Sequence, residues 1–261
     1  MGEQMTKRTT MAVLTATAAA AGLIGLAAPA AQADGYGDTV ISKVVVNGGK
    51  PVVVDTTHAT TFSVSVTARD NSGIKGLSVL DLEGPAYGFA QPNSRPVCTA
   101  VNDTTSTCTA KFTFDPRADF YDNSPAGTWY VDAWADAKDG DFFTSEKAGS
   151  FKVQRHAKLT VNASPEPVKK GRTITVTGTL SRADWRIGYQ KYVGVKDQSV
   201  KLQFRKKGST KYVDVKNVKS GTNGALKTTV TASVDGYYRY TWAGLSTTAP
   251  ATATGDFVDV R

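Results

Sequence analysis

The residues with the clearest chemical potential are cations interleaved with aromatic rings between residues 181 and 199. Lysine and arginine attract phosphate and carboxylate groups, and aromatic rings stack on sugars, so this composition suits an anionic polymer or glycan. The candidate binding residues are Arg182, Trp185, Arg186, Tyr189, Lys191 and Tyr192. In the structural alternative, Trp185 and the tyrosines close one end of a β-sandwich and the cations only solubilise its surface.

A second group of candidate ligands is acidic. Asp132, Asp136, Asp139 and Asp141 lie within ten residues around Gly140. Carboxylate oxygens on a turn are hard ligands that suit Ca²⁺, although the spacing differs from that of the EF-hand loop. The alternative is a solvated turn at 138–141. Calcium is therefore the one cofactor that the sequence leaves open.

The two cysteines, Cys98 and Cys108, are expected to form a disulfide, because the chain is predicted to be exported. They enclose residues 99–107, whose Thr, Asn and Asp content suits a hairpin loop. A redox pair is the alternative, but the spacing is not Cys-x-x-Cys. We therefore predict a local, structural bridge.

No assembled catalytic constellation is visible in the sequence. The chain has only two histidines, His58 and His156, and neither has a nucleophile motif near it. Gly-x-Ser-x-Gly, His-Glu-x-x-His and phosphate-binding glycine loops are absent. A carboxylate pair facing across a cleft, as in glycosidases, is not visible at this level. The prediction is that the protein is not an enzyme.

The elements that position these residues begin after a secretory leader, predicted at residues 1–33. Lys7 and Arg8 form its positive start, an apolar stretch follows, and residues 31–33 (AQA) form a small-x-small cleavage site. The residue directly after this site is Asp34 rather than a cysteine, and the chain ends without an apolar tail. We therefore expect a secreted, extracellular protein without a membrane anchor.

Charge divides the mature chain into two predicted domains. Residues 34–156 carry 11 Lys and Arg against 15 Asp and Glu, whereas residues 157–261 carry 18 against 7. Such asymmetry indicates two modules with different surfaces. One basic run, at 205–211, is typical of a charged hairpin turn around Gly208. We predict an acidic domain at 34–156, which contains the disulfide, and a basic domain at 157–261.

Both halves are predicted to be β-structure, because apolar and polar residues alternate in short runs separated by Gly, Asn, Asp and Pro. Trp129, Val131 and Ala133 form one inward row, and Tyr238, Tyr240 and Trp242 form another. About seven strands per hundred residues is typical of β-sandwiches. The predicted fold class is all-β, with two sandwiches in tandem.

Several turns and core positions resemble those of immunoglobulin-like domains in secreted proteins of high-GC Gram-positive bacteria. In the first half they are 70–77 (DNSGIKGL) and 126–136 (AGTWYVDAWAD). In the second half they are 171–178 (GRTITVTG), 200–205 (VKLQFR), 235–240 (DGYYRY) and 243–244 (AG). The resemblance implies two immunoglobulin-like β-sandwiches in an extracellular setting, where such modules act as spacers, adhesins or glycan-binding attachments.

We therefore expect a non-enzymatic protein of the cell envelope whose basic domain holds an anionic wall polymer or glycan through the six residues of segment 181–199. Teichoic-acid phosphates and acidic glycans are abundant outside Gram-positive cells, so nucleic acid is a poorer partner. The alternatives are a calcium-binding module built on the four aspartates, and a wall-glycan hydrolase with a carboxylate pair in the domain cleft.

Overall fold

A computed structural model of the protein describes residues 33–261. The predicted signal peptide therefore lies outside the described residues, apart from Ala33. Within the described range the chain is built of strands, with two short 3-10 turns at Asn47–Gly49 and Thr222–Gly224. No helical segment in this range is long and apolar enough to cross a bilayer.

The first sandwich consists of two sheets. Its ten strands are β1 (Ala33–Tyr36), β2 (Val40–Val46), β3 (Val52–Val54), β4 (Thr60–Arg69), β5 (Ile74–Glu83), β6 (Phe89–Ala90), β7 (Val97–Asn102), β8 (Thr105–Phe114), β9 (Gly127–Ala137) and β10 (Phe142–Arg155). One sheet has the order β2-β4-β8-β7, and the other has the order β1-β10-β9-β5-β6. β3 pairs in parallel with the end of β10. These sheets match the A-B-E-D and G-F-C layers of the immunoglobulin fold.

Alternation builds the core of the first sandwich, as the sequence predicts. On β9, Trp129, Val131 and Ala133 are fully buried, while the residues between them are more exposed. The Trp129 ring packs against Phe114 with ring centroids 4.9 Å apart, and its Nε1 donates to the Pro125 carbonyl at 2.7 Å. The inward residues of facing sheets therefore form one apolar layer.

The predicted disulfide between Cys98 and Cys108 is confirmed. The two residues lie directly opposite each other in the antiparallel β7–β8 hairpin. β7 is an edge strand that pairs with β8 alone in its sheet, and Val97 and Val101 are largely exposed. The disulfide therefore ties an exposed edge strand to the core strand β8.

The second sandwich repeats this architecture. Its strands are β11 (Ala157–Leu159), β12 (Asn162–Ser164), β13 (Thr173–Asp184), β14 (Lys191–Gly194), β15 (Ser199–Lys206), β16 (Val213–Lys219), β17 (Ala225–Thr231), β18 (Gly236–Trp242), β19 (Ala251–Thr252) and β20 (Asp256–Val258). β13 pairs with β11, β12, β14 and β17. The facing sheet has the order β16-β15-β18, and β19 and β20 pair with β18. The molecule is thus all-β, with two immunoglobulin-like sandwiches.

The chain passes from β10 to β11 through a single residue, His156. The described chain forms one compact unit, in which the two sandwiches contact each other. The division into domains at residue 156 stays a prediction from charge and composition.

Candidate functional sites

Trp185, which immediately follows β13, is buried between the two sandwiches. Its exposed fraction is 0%, and its ring stacks on Phe120 of the first sandwich with ring centroids 4.6 Å apart. Its Nε1 donates a hydrogen bond to the Asp55 carbonyl at 2.8 Å. We call these contacts, and those of Arg155, His156, Ala183 and Asp184 described below, the junction. The Trp185 ring is closed to any ligand that approaches from solvent.

Asp184 links the junction to the basic segment. Its carboxylate is 1% exposed and accepts hydrogen bonds from Arg186 Nη2 at 2.6 Å and from the Asn123 side chain at 2.9 Å. The Arg186 guanidinium holds the pKa of the Asp184 carboxyl well below its usual range. Arg186 therefore serves first as the counter-ion of a buried carboxylate, although half of its own side chain is exposed.

His156 and Tyr192 form a further contact of the junction. His156 Nδ1 lies 2.8 Å from the Tyr192 hydroxyl, and Lys158 Nζ lies 3.7 Å from the centre of the Tyr192 ring. Burial, and then the charge of Lys158, lowers the pKa of His156. Burial, reinforced by Asp55, raises the pKa of Tyr192 to about 12. Both side chains are thus held in their neutral forms at neutral pH.

Two arginines at or beside the junction, Arg155 and Arg182, form no ion pair with a carboxylate within the described residues. Arg155 is buried, and its Nε donates to the Ala183 carbonyl at 2.6 Å. Burial, together with the neighbouring Arg182, lowers the pKa of Arg155 to about 10. Arg182 donates to the Thr248 hydroxyl at 3.4 Å, and its buried Nε has no partner within the described residues. Arg155 thus joins the two sandwiches, whereas the Arg182 contact lies within the second sandwich.

The six predicted polymer-binding residues therefore divide into two groups. Trp185 is fully buried and Arg182 and Tyr192 are half-buried, and all three make contacts at or beside the junction. Arg186, Tyr189 and Lys191 are exposed and adjacent: the Arg186 and Lys191 cations lie 4.5 Å and 5.7 Å from the Tyr189 ring centre. The structure brings these three together at the surface.

The four predicted calcium ligands do not form one group. Asp132 lies on β9 opposite Asp81 of β5, where burial, and then Glu83, raises its pKa. Asp136 also lies on β9, and Asp139 lies in the following turn. Asp141 alone joins a carboxylate cluster within the described residues, and its partners are Asp38 and Asp70.

Asp38, Asp70 and Asp141 each place a carboxylate oxygen within 4.8 Å of the others. Asp70 is buried, and its two oxygens accept hydrogen bonds from the Thr39 and Ser72 hydroxyls, each at 2.6 Å. Burial raises the pKa of Asp70, but these hydrogen bonds outweigh it and leave the pKa lowered. We call this group the aspartate cluster. Its carboxylate oxygens are the ligand type that Ca²⁺ takes.

Sequence spacing could not reveal the aspartate cluster. Its members lie on the β1–β2 turn, after β4 and before β10, and only folding brings them to one end of the sandwich. Gly37 contributes to this approach: its φ is +81°, and a Cβ there would lie 1.6 Å from an Asp141 carboxylate oxygen. Gly37, next to Asp38, is the one feature of the local sequence that indicates this close approach.

Neither histidine is free of structural partners. His58 Nδ1 lies 2.8 Å from Asp55 Oδ2, and Asp55 also accepts hydrogen bonds from the backbone N–H groups of Thr57 and His58. His156 belongs to the junction. The His58 imidazole thus belongs to a hydrogen-bonded turn, and the His156 imidazole is packed at the junction.

No protein-family model and no curated protein matches this chain. Among solved structures, the chain is similar to the Escherichia coli adhesin FdeC, with 16% identity, a TM-score of 0.35, and 84% of this chain and 65% of that one covered. For mouse nectin-like molecule 4 the values are 14%, 0.26, 87% and 65%. For a DUF4785 family protein from Legionella pneumophila they are 14%, 0.37, 76% and 51%. The chain spans less than two thirds of each, and similarity at this level carries no functional assignment.

Proposed function

We propose that this protein is a secreted, non-enzymatic binding protein that attaches to anionic polymers of the cell envelope through its second sandwich. One observation carries the proposal: the positive charge of residues 157–261 lies at the surface. Of the 18 Lys and Arg residues there, all are exposed except Arg182, Arg205 and Arg239, which are half-buried. Only 7 acidic residues oppose them, so the second sandwich presents a strongly positive field to a polyanion.

The two sandwiches have separate roles in this proposal. The basic second sandwich holds the polymer, and the acidic first sandwich is repelled by it, since residues 34–156 carry more Asp and Glu than Lys and Arg. The junction connects them through a buried tryptophan and several hydrogen bonds rather than through a long linker. The first sandwich is thereby presented away from the polymer.

The proposal predicts salt-sensitive retention on cell walls. Purified protein is expected to sediment with isolated Gram-positive walls at about 50 mM salt and to lose roughly ten-fold or more of its retention at about 500 mM salt, because screening weakens exposed charges. Walls stripped of their anionic polymers are the matched control, and they should retain little protein. Equal retention on stripped walls, or retention that ignores salt, would contradict the proposal.

The aspartate cluster favours a second candidate function, calcium binding by Asp38, Asp70 and Asp141. Three carboxylates at one end of the first sandwich supply several oxygen ligands, and water would complete the six to eight that Ca²⁺ takes. The Thr39 and Ser72 hydroxyls that donate to Asp70 fix its carboxylate at the cluster.

If the cluster binds calcium, the cation stabilises the folded protein by mass action. Adding Ca²⁺ to chelated protein at a hundred times the dissociation constant should contribute about 2.7 kcal/mol and raise the melting temperature. Asp141→Asn is expected to abolish this rise, whereas the control Asp136→Asn, outside the cluster, is expected to keep it. An unchanged melting temperature in the unmodified protein would exclude calcium.

A further inference from the structure

The guanidinium groups of Arg205 and Arg239 pack against aromatic rings on the second sandwich. Both lie on the outer face of the sheet formed by β16, β15, β18 and β20. The Arg239 guanidinium lies 3.6 Å from the centre of the Tyr212 ring. Arg205 lies 5.3 Å from the same ring and 4.1 Å from that of Tyr237, which packs against Phe257. We call these five residues the arginine face.

The two guanidinium groups keep free donors in spite of this packing. Arg239 Nε donates to the Gln203 side-chain oxygen at 2.9 Å, and Arg205 Nη1 donates to the Ser209 carbonyl at 2.6 Å. These contacts use one N–H group each, and stacking on a ring uses the flat faces rather than the edge. The remaining N–H groups are available for a bidentate contact with an anion.

Ion pairing separates these arginines from their neighbours. Within the described residues, nearby carboxylates already have other cations: Asp214 pairs with Lys201 at 2.7 Å, Asp235 with Lys207 at 3.2 Å, and Asp259 with Arg261 at 2.9 Å. Arg205 and Arg239 form no such pair in that part of the chain. Two half-buried positive charges, fixed in place without counter-ions, are preorganised for an anion from outside.

A basic pocket continues the arginine face at one end. It is open and has a volume of about 460 Å³. Its charged lining residues are four cations, Lys170, Lys206, Lys207 and Arg261, and one carboxylate, Asp235, which pairs with Lys207. Lys207 lines the pocket and also lies 5.4 Å from the ring centre of Phe257, so it connects the pocket to the arginine face. The positive surface therefore extends beyond a single anion and follows a track from the arginines to the pocket.

We propose that the arginine face and the basic pocket bind a linear acidic polysaccharide that carries carboxylates on its sugar rings. This inference rests on the proposed function and gives it a site. Arg205 and Arg239 bind carboxylates through their guanidinium edges. Lys170 and Lys206 of the pocket, which form no ion pair within the described residues, bind the next acidic unit. The rings of Tyr212, Tyr237 and Phe257 supply apolar surface against which sugar rings can pack, and a polyol phosphate or a polyphosphate chain has no ring that could use this surface.

The test is calorimetric titration of the full mature protein with oligogalacturonate as the probe. Arg205→Gln/Arg239→Gln is expected to weaken binding at least ten-fold. The control Arg172→Gln/Lys227→Gln also removes two positive charges, but from the opposite sheet, directly before β13 and on β17, and should weaken binding two- to three-fold at most. Arg205→Lys/Arg239→Lys keeps the charge and loses the planar fork, so it too should weaken binding well beyond the control.

The outcomes separate this site from the proposed function. An equal loss in the glutamine variant and in its control would overturn the site while leaving polyanion attachment intact. Polyphosphate that binds as tightly as oligogalacturonate, with the same dependence on the two arginines, would overturn the assignment to a polysaccharide. No binding of either polymer by the unmodified protein would overturn the site, and retention on cell walls would then decide whether attachment to envelope polymers stands. Melting curves identify any variant that fails to fold, and the lysine variant then decides.

Discussion

Replacing Trp185 with alanine is expected to lower the free energy of unfolding by about 3 to 5 kcal/mol, the usual cost of removing a large buried aromatic side chain. The Trp185 ring is fully buried and stacks on Phe120. Its truncation would leave a cavity between the sandwiches and deprive the Asp55 carbonyl of its 2.8 Å hydrogen bond. The loss should therefore affect both sandwiches, although the residue follows a strand of the second one.

Urea denaturation followed by circular dichroism measures this effect, and Trp134→Ala is the matched control. Trp134 is 36% exposed on the outer side of β9 and contacts the Phe142 ring with centroids 5.2 Å apart. Its removal should cost about 1 kcal/mol, as for a partly exposed aromatic pair. If the junction couples the sandwiches, Trp185→Ala should also broaden or split the transition. Equal losses in the two variants would show that the junction contributes little.

The strands were predictable because alternation reports burial directly. On β9 and β18 each inward residue of the predicted rows is buried, since a strand places successive side chains on opposite faces. Facing sheets then bury both rows, whichever turns connect them. The disulfide was equally predictable, because a chain that is predicted to be exported and has two cysteines ten residues apart has one pairing available.

The position of Trp185 was not predictable by the same reasoning. A segment in which cations alternate with aromatic residues has the same composition whether its rings face solvent or pack against another domain. Trp185 contacts Asp55, which lies 130 residues earlier in the chain, and Phe120, which belongs to the other sandwich. Local patterns carry no information about such partners. Only the tertiary structure shows that the six candidate residues of segment 181–199 separate into three at or beside the junction and three exposed at the surface.

The arginine face shows the reverse situation. Arg205 belongs to the basic run at 205–211, whereas Arg239 occurs only in the 235–240 motif of turn and core positions, and Tyr212 belongs to no predicted site. β-sheet register joins them: Gln203 of β15 lies opposite Arg239 of β18, and Tyr212 lies in the loop before β16, which also pairs with β15. A cluster assembled across strands in this way has no sequence spacing by which it could be found.

Reduction of the Cys98–Cys108 disulfide is expected to lower the free energy of unfolding by about 2 to 3 kcal/mol, because the closed loop of about ten residues no longer restricts the unfolded chain. Reduced wild-type protein keeps both side-chain volumes, so it isolates the cross-link from the packing of the buried Cys108. Urea denaturation with and without reductant measures the difference. A Cys98→Ala/Cys108→Ala variant is the control, since reductant should leave its stability unchanged.

The effect should be largest at the first edge of the sandwich to open. β7 pairs with β8 alone, and its exposed Val97 and Val101 contribute little burial, so the disulfide is its strongest attachment. In reduced protein, backbone amide hydrogens of β7 and of its β8 partners are expected to exchange faster than those of β9, because edge strands open locally at low free energy. Faster exchange throughout the first sandwich would instead show that the bridge supports the whole core, and unchanged exchange in β7 would show that the hairpin ladder alone holds the strand.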